Sequence, residues 1–136
     1  MTKSTIRWQQ RFHSYKRALA LLSEFMQKDQ LNELETLGSI HAFEMTYDIA
    51  GKLLIEHAKS QNIPDIYGPR DAMLTASNVG LIDQPDSWTD MLETRRETNE
   101  VYRTEIAEKI AVDIRSKFFA LLLSLQQSMQ AIQAAL

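Results

Sequence analysis

The feature that most constrains the fold of this chain is a long seam of large apolar residues near its N-terminus. Successive members of the seam are four, three, four, three and four residues apart: Trp8, Phe12, Tyr15, Leu19, Leu22 and Met26. This spacing places all of them on one side of an α-helix, which is typical of a helix packed in a bundle. It predicts a first helix from about Ser4 to Lys28. The other side of this helix is charged, with Arg7, Arg11, Lys16, Arg17 and Glu24.

A second long helix is predicted from about Asn32 to Asn62, because Pro64 disfavours its continuation. Its apolar stripe has the same helical spacing and consists of Leu37, Ile40, Phe43, Tyr47, Ala50 and Leu54. Gly38 and Gly51 lie inside this helix and lower its propensity. We therefore expect another helix to approach closely at both glycines.

Two shorter helices are predicted next. The third runs from Pro69, a residue suited to a first helical turn, to Asn78, and Gly80 closes it in a left-handed conformation. The fourth presents Trp88 and is expected to be capped by Asp86 or Ser87. The apolar pattern weakens between residues 99 and 103, which predicts a kink or a short break there.

A last helix is predicted from Thr104 almost to the end of the chain. Its stripe is Ile106, Ile110, Ile114, Phe118, Leu121, Leu125, Met129, Ile132 and Leu136. Between Phe118 and Leu123 this helix is apolar on most faces, and a helix at the edge of a monomeric bundle cannot bury such a surface. We therefore expect a homodimer that forms through this helix, the fifth; the alternative is a helix central to the monomer.

Three long helices and two short ones, joined by short links, predict an all-α, antiparallel up-down bundle that forms one domain over residues 1–136. The chain contains no cysteine, which excludes disulfides and thiolate metal sites. No signal peptide or membrane-spanning run is visible, so we expect a cytoplasmic protein without membrane contact. The net charge of −3 argues against non-specific nucleic-acid binding, so any RNA or nucleotide contact would depend on a local cluster.

The first polar cluster lies on the second predicted helix, where His41, Glu44, Asp48 and Lys52 share one face. Histidine and carboxylates on one helical face can bind a metal ion, although di-metal bundles use two Glu-x-x-His pairs and this chain has none. The alternatives are an ordinary solvated face with an Asp48–Lys52 pair, or a polar cleft that recognises a ligand or a partner. No metal site is therefore predicted.

Two further clusters could bind anions. Arg70 stands at the predicted start of the third helix, where a helix N-terminus favours negative charge; the alternative is a plain helix start. Arg95, Arg96, Tyr102 and Arg103 lie around the predicted break, and arginine binds phosphate through paired hydrogen bonds. The alternative there is a solvated turn whose arginines are neutralised by the nearby glutamates at positions 97 and 100. Two other histidines, at positions 13 and 57, are expected on helix surfaces.

Several segments together resemble a known family, the substrate-binding partners of minimal nucleotidyltransferases, a branch of the HEPN superfamily. These segments are RWQQRF at 7–12 with YKRAL at 15–19, FEMTYDIAGKLL at 43–54, GPRDA at 68–72, GLI at 80–82 and WTDMLETR at 88–95. The similarity runs from about Ile6 to Ile114 in the same order and spacing. It implies a helical homodimer and a separately encoded nucleotidyltransferase that supplies the catalytic carboxylates and binds nucleoside triphosphate and magnesium. The chain itself would need no cofactor.

The resemblance also implies site residues. The toxin branch of the family uses an Arg-x4-His-x-Tyr motif, often with Asn after the Arg. Arg95 and Tyr102 match its Arg and Tyr, whereas Arg96 stands at the Asn position and Glu100 at the His position. A ribonuclease of this kind needs the His as its acid–base group, and a glutamate would repel the scissile phosphate. On the second helix, the paired carboxylates at 44 and 48, with the lysine at 52, match the polar face of the family.

The resemblance favours a non-catalytic binding subunit that holds a transferase partner and presents the cluster to a nucleotide or an acceptor. The predicted binding residues are Arg70, Arg95, Arg96, Tyr102, Glu44, Asp48 and Lys52. The alternative is a divergent HEPN ribonuclease toxin that acts through Arg95 and Tyr102 and is neutralised by nucleotidylation of Tyr102, as in toxin–antitoxin modules. A third interpretation is a metal-binding bundle that uses His41, Glu44 and Asp48.

Overall fold

The fold is a bundle of helices in a computed structural model that describes residues 2–136. The six α-helices, in chain order, are α1 Lys3–Met26, α2 Glu33–Ser60, α3 Gly68–Asn78, α4 Pro85–Glu97, α5 Thr104–Asp113 and α6 Phe119–Ala134. A 3₁₀ turn, Thr98–Glu100, follows α4, and a single π-helical stretch, Ile114–Phe118, joins α5 to α6. The described residues contain no strand, so the all-α prediction is confirmed.

The first two helices form an antiparallel pair that packs along its length, because only a short turn separates them. The seam from Trp8 to Leu22 is buried, and the final member, Met26, is half-buried. Asn32 and Glu35 form a capping box at the start of α2, with hydrogen bonds of 2.8 and 3.0 Å. The capping box is a local signal, so the start of α2 is defined without help from the rest of the fold.

The two glycines of α2 behave differently. A Cβ atom at Gly38 would lie 2.9 Å from the ring of Phe25, so the glycine permits the end of α1 to approach closely, as predicted. At Gly51 no atom lies within 4 Å of the Cβ position. The expected close approach at Gly51 is therefore wrong, because this side of α2 faces an open groove.

Each of the short helices α3 and α4 has a proline in its first turn and ends at a turn. Gly80 has a φ of 81° and follows α3, which confirms the predicted left-handed closure. Helix α4 begins at Pro85, two or three residues earlier than a cap at Asp86 or Ser87 would allow. Its cap residue is Gln84, which makes no side-chain capping bond, so neither Asp86 nor Ser87 is the N-cap. Proline supplies the first turn because its missing N–H would be unpaired there in any case.

The C-terminal helical segment crosses the centre of the bundle. The hydroxyl of Tyr15 donates a buried 2.6 Å hydrogen bond to the carbonyl of Leu122, and Phe118 stacks on Phe43 with ring centroids 5.7 Å apart. Leu121 is buried as well, so the apolar run is largely covered by the chain itself, although Leu123 remains 37% exposed. Part of this surface therefore stays uncovered within one chain, and the homodimer stays a prediction.

One hydrophobic core draws side chains from all six helices. The single π turn within the last long helix begins and ends at buried residues, Ile114 and Phe118. Within residues 2–136, none of the helices combines the length and the apolar character that crossing a membrane requires.

Candidate functional site

The polar face of α2 meets the end of α4 in a compact ion cluster, which we call the Arg95 cluster: Glu44, Asp48, Arg95 and Thr98. Nε and Nη2 of Arg95 each donate a 2.9 Å hydrogen bond to a different oxygen of Asp48. Nη1 donates to Oγ1 of Thr98 at 2.9 Å and lies 3.2 Å from Oε2 of Glu44. The hydroxyl of Thr98 in turn donates to the carbonyl of Arg95 at 2.6 Å. Every nitrogen of the guanidinium is therefore engaged.

Helix geometry explains how the cluster forms. Glu44 and Asp48 are four residues apart, so they stand one turn apart on the same face of α2. Arg95 lies in the last turn of α4, and the 3₁₀ turn that follows brings Thr98 back to it. The hydrogen bonds that Arg95 donates to Asp48, assisted by the negative charge of Glu44, raise the pKa of Arg95 further above its ordinary value. The alternative in which Glu97 and Glu100 neutralise this arginine is wrong, since both of its carboxylate partners come from α2.

A groove of about 340 Å³ runs beside this cluster between α2 and the start of α3, and we call it the α2–α3 groove. Its walls are Tyr47, Asp48, Gly51, Lys52, Ile55, Gly68 and Pro69. Because Gly51 has no side chain, the groove is open beside this residue. Asp48 therefore belongs both to the Arg95 cluster and to the wall of the groove.

The hydroxyl of Tyr47 is the unusual group in this groove. It is buried and has no hydrogen-bond partner among the described residues. Burial, and then the negative charge of Asp48, raise the pKa of Tyr47 well above the ordinary range, so the phenol stays protonated at neutral pH. A buried hydroxyl without a partner is costly, and a ligand that accepts its hydrogen bond would remove that cost.

Three cations stand at or near the groove. Lys52 lines it, Arg70 directly follows the lining residue Pro69, and the positive charge of Arg96 offsets part of the rise in the pKa of Tyr47. All three are exposed, and none makes a hydrogen bond or an ion pair with the described residues. The expected Asp48–Lys52 pair is absent there, because Asp48 is bound to Arg95.

Tyr102 lies apart from the groove. Its side chain is 81% exposed and lines a separate pocket of about 360 Å³ between the start of α2 and α5. Glu33 and Glu108 also line this pocket, which makes it acidic. The predicted site residues are therefore divided between two places.

The histidines do not assemble a metal site. His41 is exposed, and within residues 2–136 no group of three or more His, Asp or Glu side chains is arranged to hold a metal ion. His57, expected at the surface, is only 5% exposed, and its ring packs edge-on against Trp8 with centroids 5.5 Å apart. Burial lowers the pKa of His57, so its neutral form is favoured in the folded protein.

Sequence reasoning missed Tyr47 as a candidate binding residue. It belongs to the apolar stripe of α2 and is 5% exposed, so its position is that of a core residue. The available signal was a hydroxyl group on the residue directly before Asp48. Only the tertiary arrangement reveals that Tyr47 lines a groove and that its buried hydroxyl lacks a partner among the described residues.

A family model described as "Nucleotidyltransferase substrate binding protein like" matches residues 10–131. The matched range contains the Arg95 cluster, the α2–α3 groove and Tyr102. No curated protein matches the chain.

Proposed function

The chain belongs to the nucleotidyltransferase substrate binding protein like family, and from this premise we propose that it is a non-catalytic subunit that holds a substrate for a separately encoded minimal nucleotidyltransferase. The match over residues 10–131 carries the proposal, since it covers nearly the whole bundle. The transferase would supply the catalytic carboxylates, the nucleoside triphosphate and the magnesium. This chain would supply the surface that orients the acceptor.

The α2–α3 groove is the proposed substrate site. The hydroxyl of Tyr47 has a hydrogen to donate, and the ammonium of Lys52 attracts anionic oxygens. Arg70 and Arg96 add positive charge nearby, where they attract a phosphate-bearing nucleotide or acceptor. The open space beside Gly51 admits the ligand.

Arg95 acts in this proposal as a positioning residue. Its guanidinium is occupied by Asp48, Glu44 and Thr98, so it holds the groove wall rather than offering free donors to a ligand. Because Asp48 also lines the groove, the orientation of its carboxylate depends on Arg95. Loss of Arg95 should therefore weaken ligand binding indirectly.

A second candidate is a toxin–antitoxin pair in which the transferase modifies Tyr102. The 81% exposure of this side chain favours it, since an incoming transferase could reach the phenol. The phenolic oxygen would attack the α-phosphorus of the nucleoside triphosphate, pyrophosphate would leave, and the proton would pass to a base of the transferase. Ribonuclease activity before modification would have to proceed with Glu100 at the position of the family's histidine.

Size-exclusion chromatography with intact mass measurement tests both candidates. The chain is mixed with the transferase encoded beside it, together with ATP and magnesium. We expect a stable complex in which the mass of this chain does not change. A gain of one or more nucleotidyl groups that Tyr102→Phe abolishes would support the second candidate instead. Failure of the two proteins to associate would contradict both.

A pair of lysine variants tests the groove. Lys52→Gln removes a cation from the groove wall, whereas Lys59→Gln removes an exposed lysine of the same helix that does not line it. We expect the transfer rate to an acceptor held by the complex to fall for Lys52→Gln only. Equal rates for the two variants would place the substrate elsewhere.

A further inference from the structure

A second polar pocket, of about 420 Å³, lies between α1 and α2 and shares no lining residue with the α2–α3 groove. Its lining residues are Arg7, Gln10, Arg11, Ser14 and Glu56, and we call it the Arg7–Arg11 pocket. Its volume lies within the range of small-molecule sites. No residue predicted from sequence to bind a ligand belongs to it.

The four lining residues from α1 form one face of that helix, because they are spaced at positions i, i+3, i+4 and i+7. Arg7 and Arg11 are exposed, and neither makes an ion pair or a hydrogen bond with the rest of residues 2–136. Two like charges one turn apart destabilise a helix. Folding therefore does not explain why both positions carry arginine.

The N-terminal part of the chain carries basic residues only, which adds to the positive charge of this face of α1. Residues 1–23 contain five Lys or Arg and no Asp or Glu, whereas the other residues contain ten Lys or Arg and all 18 acids. Helix α1 is thus a positive surface on a protein whose net charge is −3. A local positive field of this kind raises the concentration of anions beside it.

Glu56 adds a hydrogen-bond acceptor to the pocket, beside the two guanidinium donors. It is the only lining residue from α2, and its Oε2 atom is buried without a hydrogen-bond partner among the described residues. Neither arginine lies within ion-pair distance of it. The pocket therefore holds two free guanidinium groups and one carboxylate oxygen that lacks a donor.

This combination selects among anions. Guanidinium groups match the oxygens of a phosphate group through paired hydrogen bonds. A bare phosphate offers only negative oxygens to the pocket, and those that approached Glu56 would be repelled by its carboxylate. A nucleotide places its phosphate at one end and donates hydrogens from its sugar hydroxyls or base amino groups at the other.

We propose that the Arg7–Arg11 pocket binds a nucleotide, with Arg7 and Arg11 holding the phosphate and Glu56 accepting a hydrogen bond from the sugar or the base. Gln10 and Ser14 supply neutral hydrogen-bonding groups between them. The ligand is either a free mononucleotide or the phosphorylated end of an RNA, which present the same chemistry. This site does not depend on the proposed transferase pairing.

Isothermal titration of the full chain alone, without any transferase, tests the site. The probes are AMP, GMP, inorganic phosphate, and one short oligoribonucleotide prepared with a 5′-phosphate and with a 5′-hydroxyl. We expect a nucleotide to bind at least tenfold more tightly than inorganic phosphate. Binding of AMP or GMP identifies a free nucleotide as the ligand, whereas binding only of the 5′-phosphorylated oligonucleotide identifies an RNA end. Absence of binding by all nucleotide probes overturns the proposal and leaves the transferase pairing untouched.

Two double variants of equal net charge distinguish binding in the Arg7–Arg11 pocket from general attraction to a positively charged helix. Arg7→Gln with Arg11→Gln removes the pocket cations, and Lys3→Gln with Arg17→Gln removes two other exposed cations of α1. We expect at least a tenfold loss of affinity for the first pair and less than a twofold loss for the second. Equal losses would overturn the proposal, because only net charge would then matter. Circular dichroism verifies that both variants are folded.

Glu56→Gln tests the selectivity. Removing the negative charge should strengthen the binding of inorganic phosphate and reduce the nucleotide-to-phosphate preference at least threefold. An unchanged preference would overturn the role assigned to Glu56.

Discussion

Arg95 and Arg7 are both arginines on helices of the same bundle, and their environments are opposite. Arg95 is 26% exposed and is bound to two carboxylates and a hydroxyl. Arg7 is exposed and has no partner among the described residues, although Glu56 lines the same pocket. Arg95, which was predicted from sequence to bind a ligand, is thus held by partners within the protein, whereas Arg7, which was not, is free to meet a ligand.

The difference follows from what each helix faces. The end of α4 lies against the acidic face of α2, so Arg95 forms ion pairs with Asp48 and Glu44 at the surface between the two helices. Helix α1 contributes no acidic residue before Glu24, so its cations have no partner on their own helix within the first five turns. Whether an arginine stabilises the fold or stays available to a ligand therefore depends on whether a carboxylate of the protein lies within ion-pair distance.

The largest effect on stability is expected from Arg95→Ala. The substitution removes charge-assisted hydrogen bonds and leaves Glu44 and Asp48 as like charges one turn apart. Allowing for partial exposure of the cluster, we expect urea denaturation to show a loss of about 1.5 kcal/mol in the free energy of unfolding.

The neighbouring exposed Arg96 is the matched control for this loss. Because Arg96 makes no hydrogen bond or ion pair with the described residues, Arg96→Ala should change stability by less than about 0.5 kcal/mol. Similar losses for the two variants would mean that the Arg95 cluster does not stabilise the fold, and the comparison would fail. High salt should reduce the Arg95 effect, since the cluster is partly solvated.

Arg115→Ala sharpens the comparison with a second paired arginine. Arg115 donates hydrogen bonds to the carbonyl of Met26, the last residue of α1, at 3.1 Å, and to that of Lys28, just after the helix, at 2.7 Å. Cations favour the negative end of a helix dipole, and we expect a loss of about 1 kcal/mol on substitution. Thermal unfolding measures this loss of stability. Arg115→Lys is the control, because it keeps the positive charge but lacks the planar guanidinium that donates to two carbonyls. Wild-type stability in the lysine variant would show that the positive charge alone accounts for the effect.

A smaller and pH-dependent effect is expected from His57, which lies next to Glu56 in the chain and under Trp8. Its pKa is lowered by burial, so at acid pH the unfolded chain binds a proton that the folded chain resists. Stability should be complete above the ordinary histidine pKa of about 6.5 and should fall as the pH drops below it, by at most about 1.4 kcal/mol per pH unit. Urea denaturation at a series of pH values checks this.

His57→Phe is the control for the pH effect, because it keeps a ring against Trp8 and removes the titrating group. The variant should lose less stability than the wild type between pH 7 and pH 5. Parallel pH profiles for the two proteins would show that His57 is not responsible.

The smallest effect on stability, of opposite sign, is expected from Arg7→Gln. The substitution relieves repulsion with Arg11 one turn away and breaks no hydrogen bond or ion pair. We expect the free energy of unfolding to rise by about 0.3 kcal/mol at low salt and to be unchanged at high salt. A clear loss of stability would mean that Arg7 has a structural partner, which would remove the contrast with Arg95.

The fold was largely predictable because its signals are local. The buried seam of α1 and the break predicted between residues 99 and 103 follow from neighbours in sequence, and both predictions are confirmed. The same is true of the left-handed turn at Gly80. A helix needs only its own periodicity and its end signals to be recognised.

The candidate site was predicted only in part. Helical spacing placed Glu44 and Asp48 on one face, and they do lie together. The partner of Asp48 is 47 residues away in the chain, and no local pattern reports it. Tyr47 and His57 were misjudged for the same reason, since the environment of each is built by other helices.

The sequence by itself determined which segments become helices and which side of the main helices is buried, because both depend on spacings within a few turns. Only the tertiary structure decided which charges are paired, which hydroxyl lacks a partner and where the pockets lie. Those properties depend on distances between helices that are far apart in sequence, and a change of a few ångströms between α2 and its neighbours would alter them while leaving every apolar stripe intact.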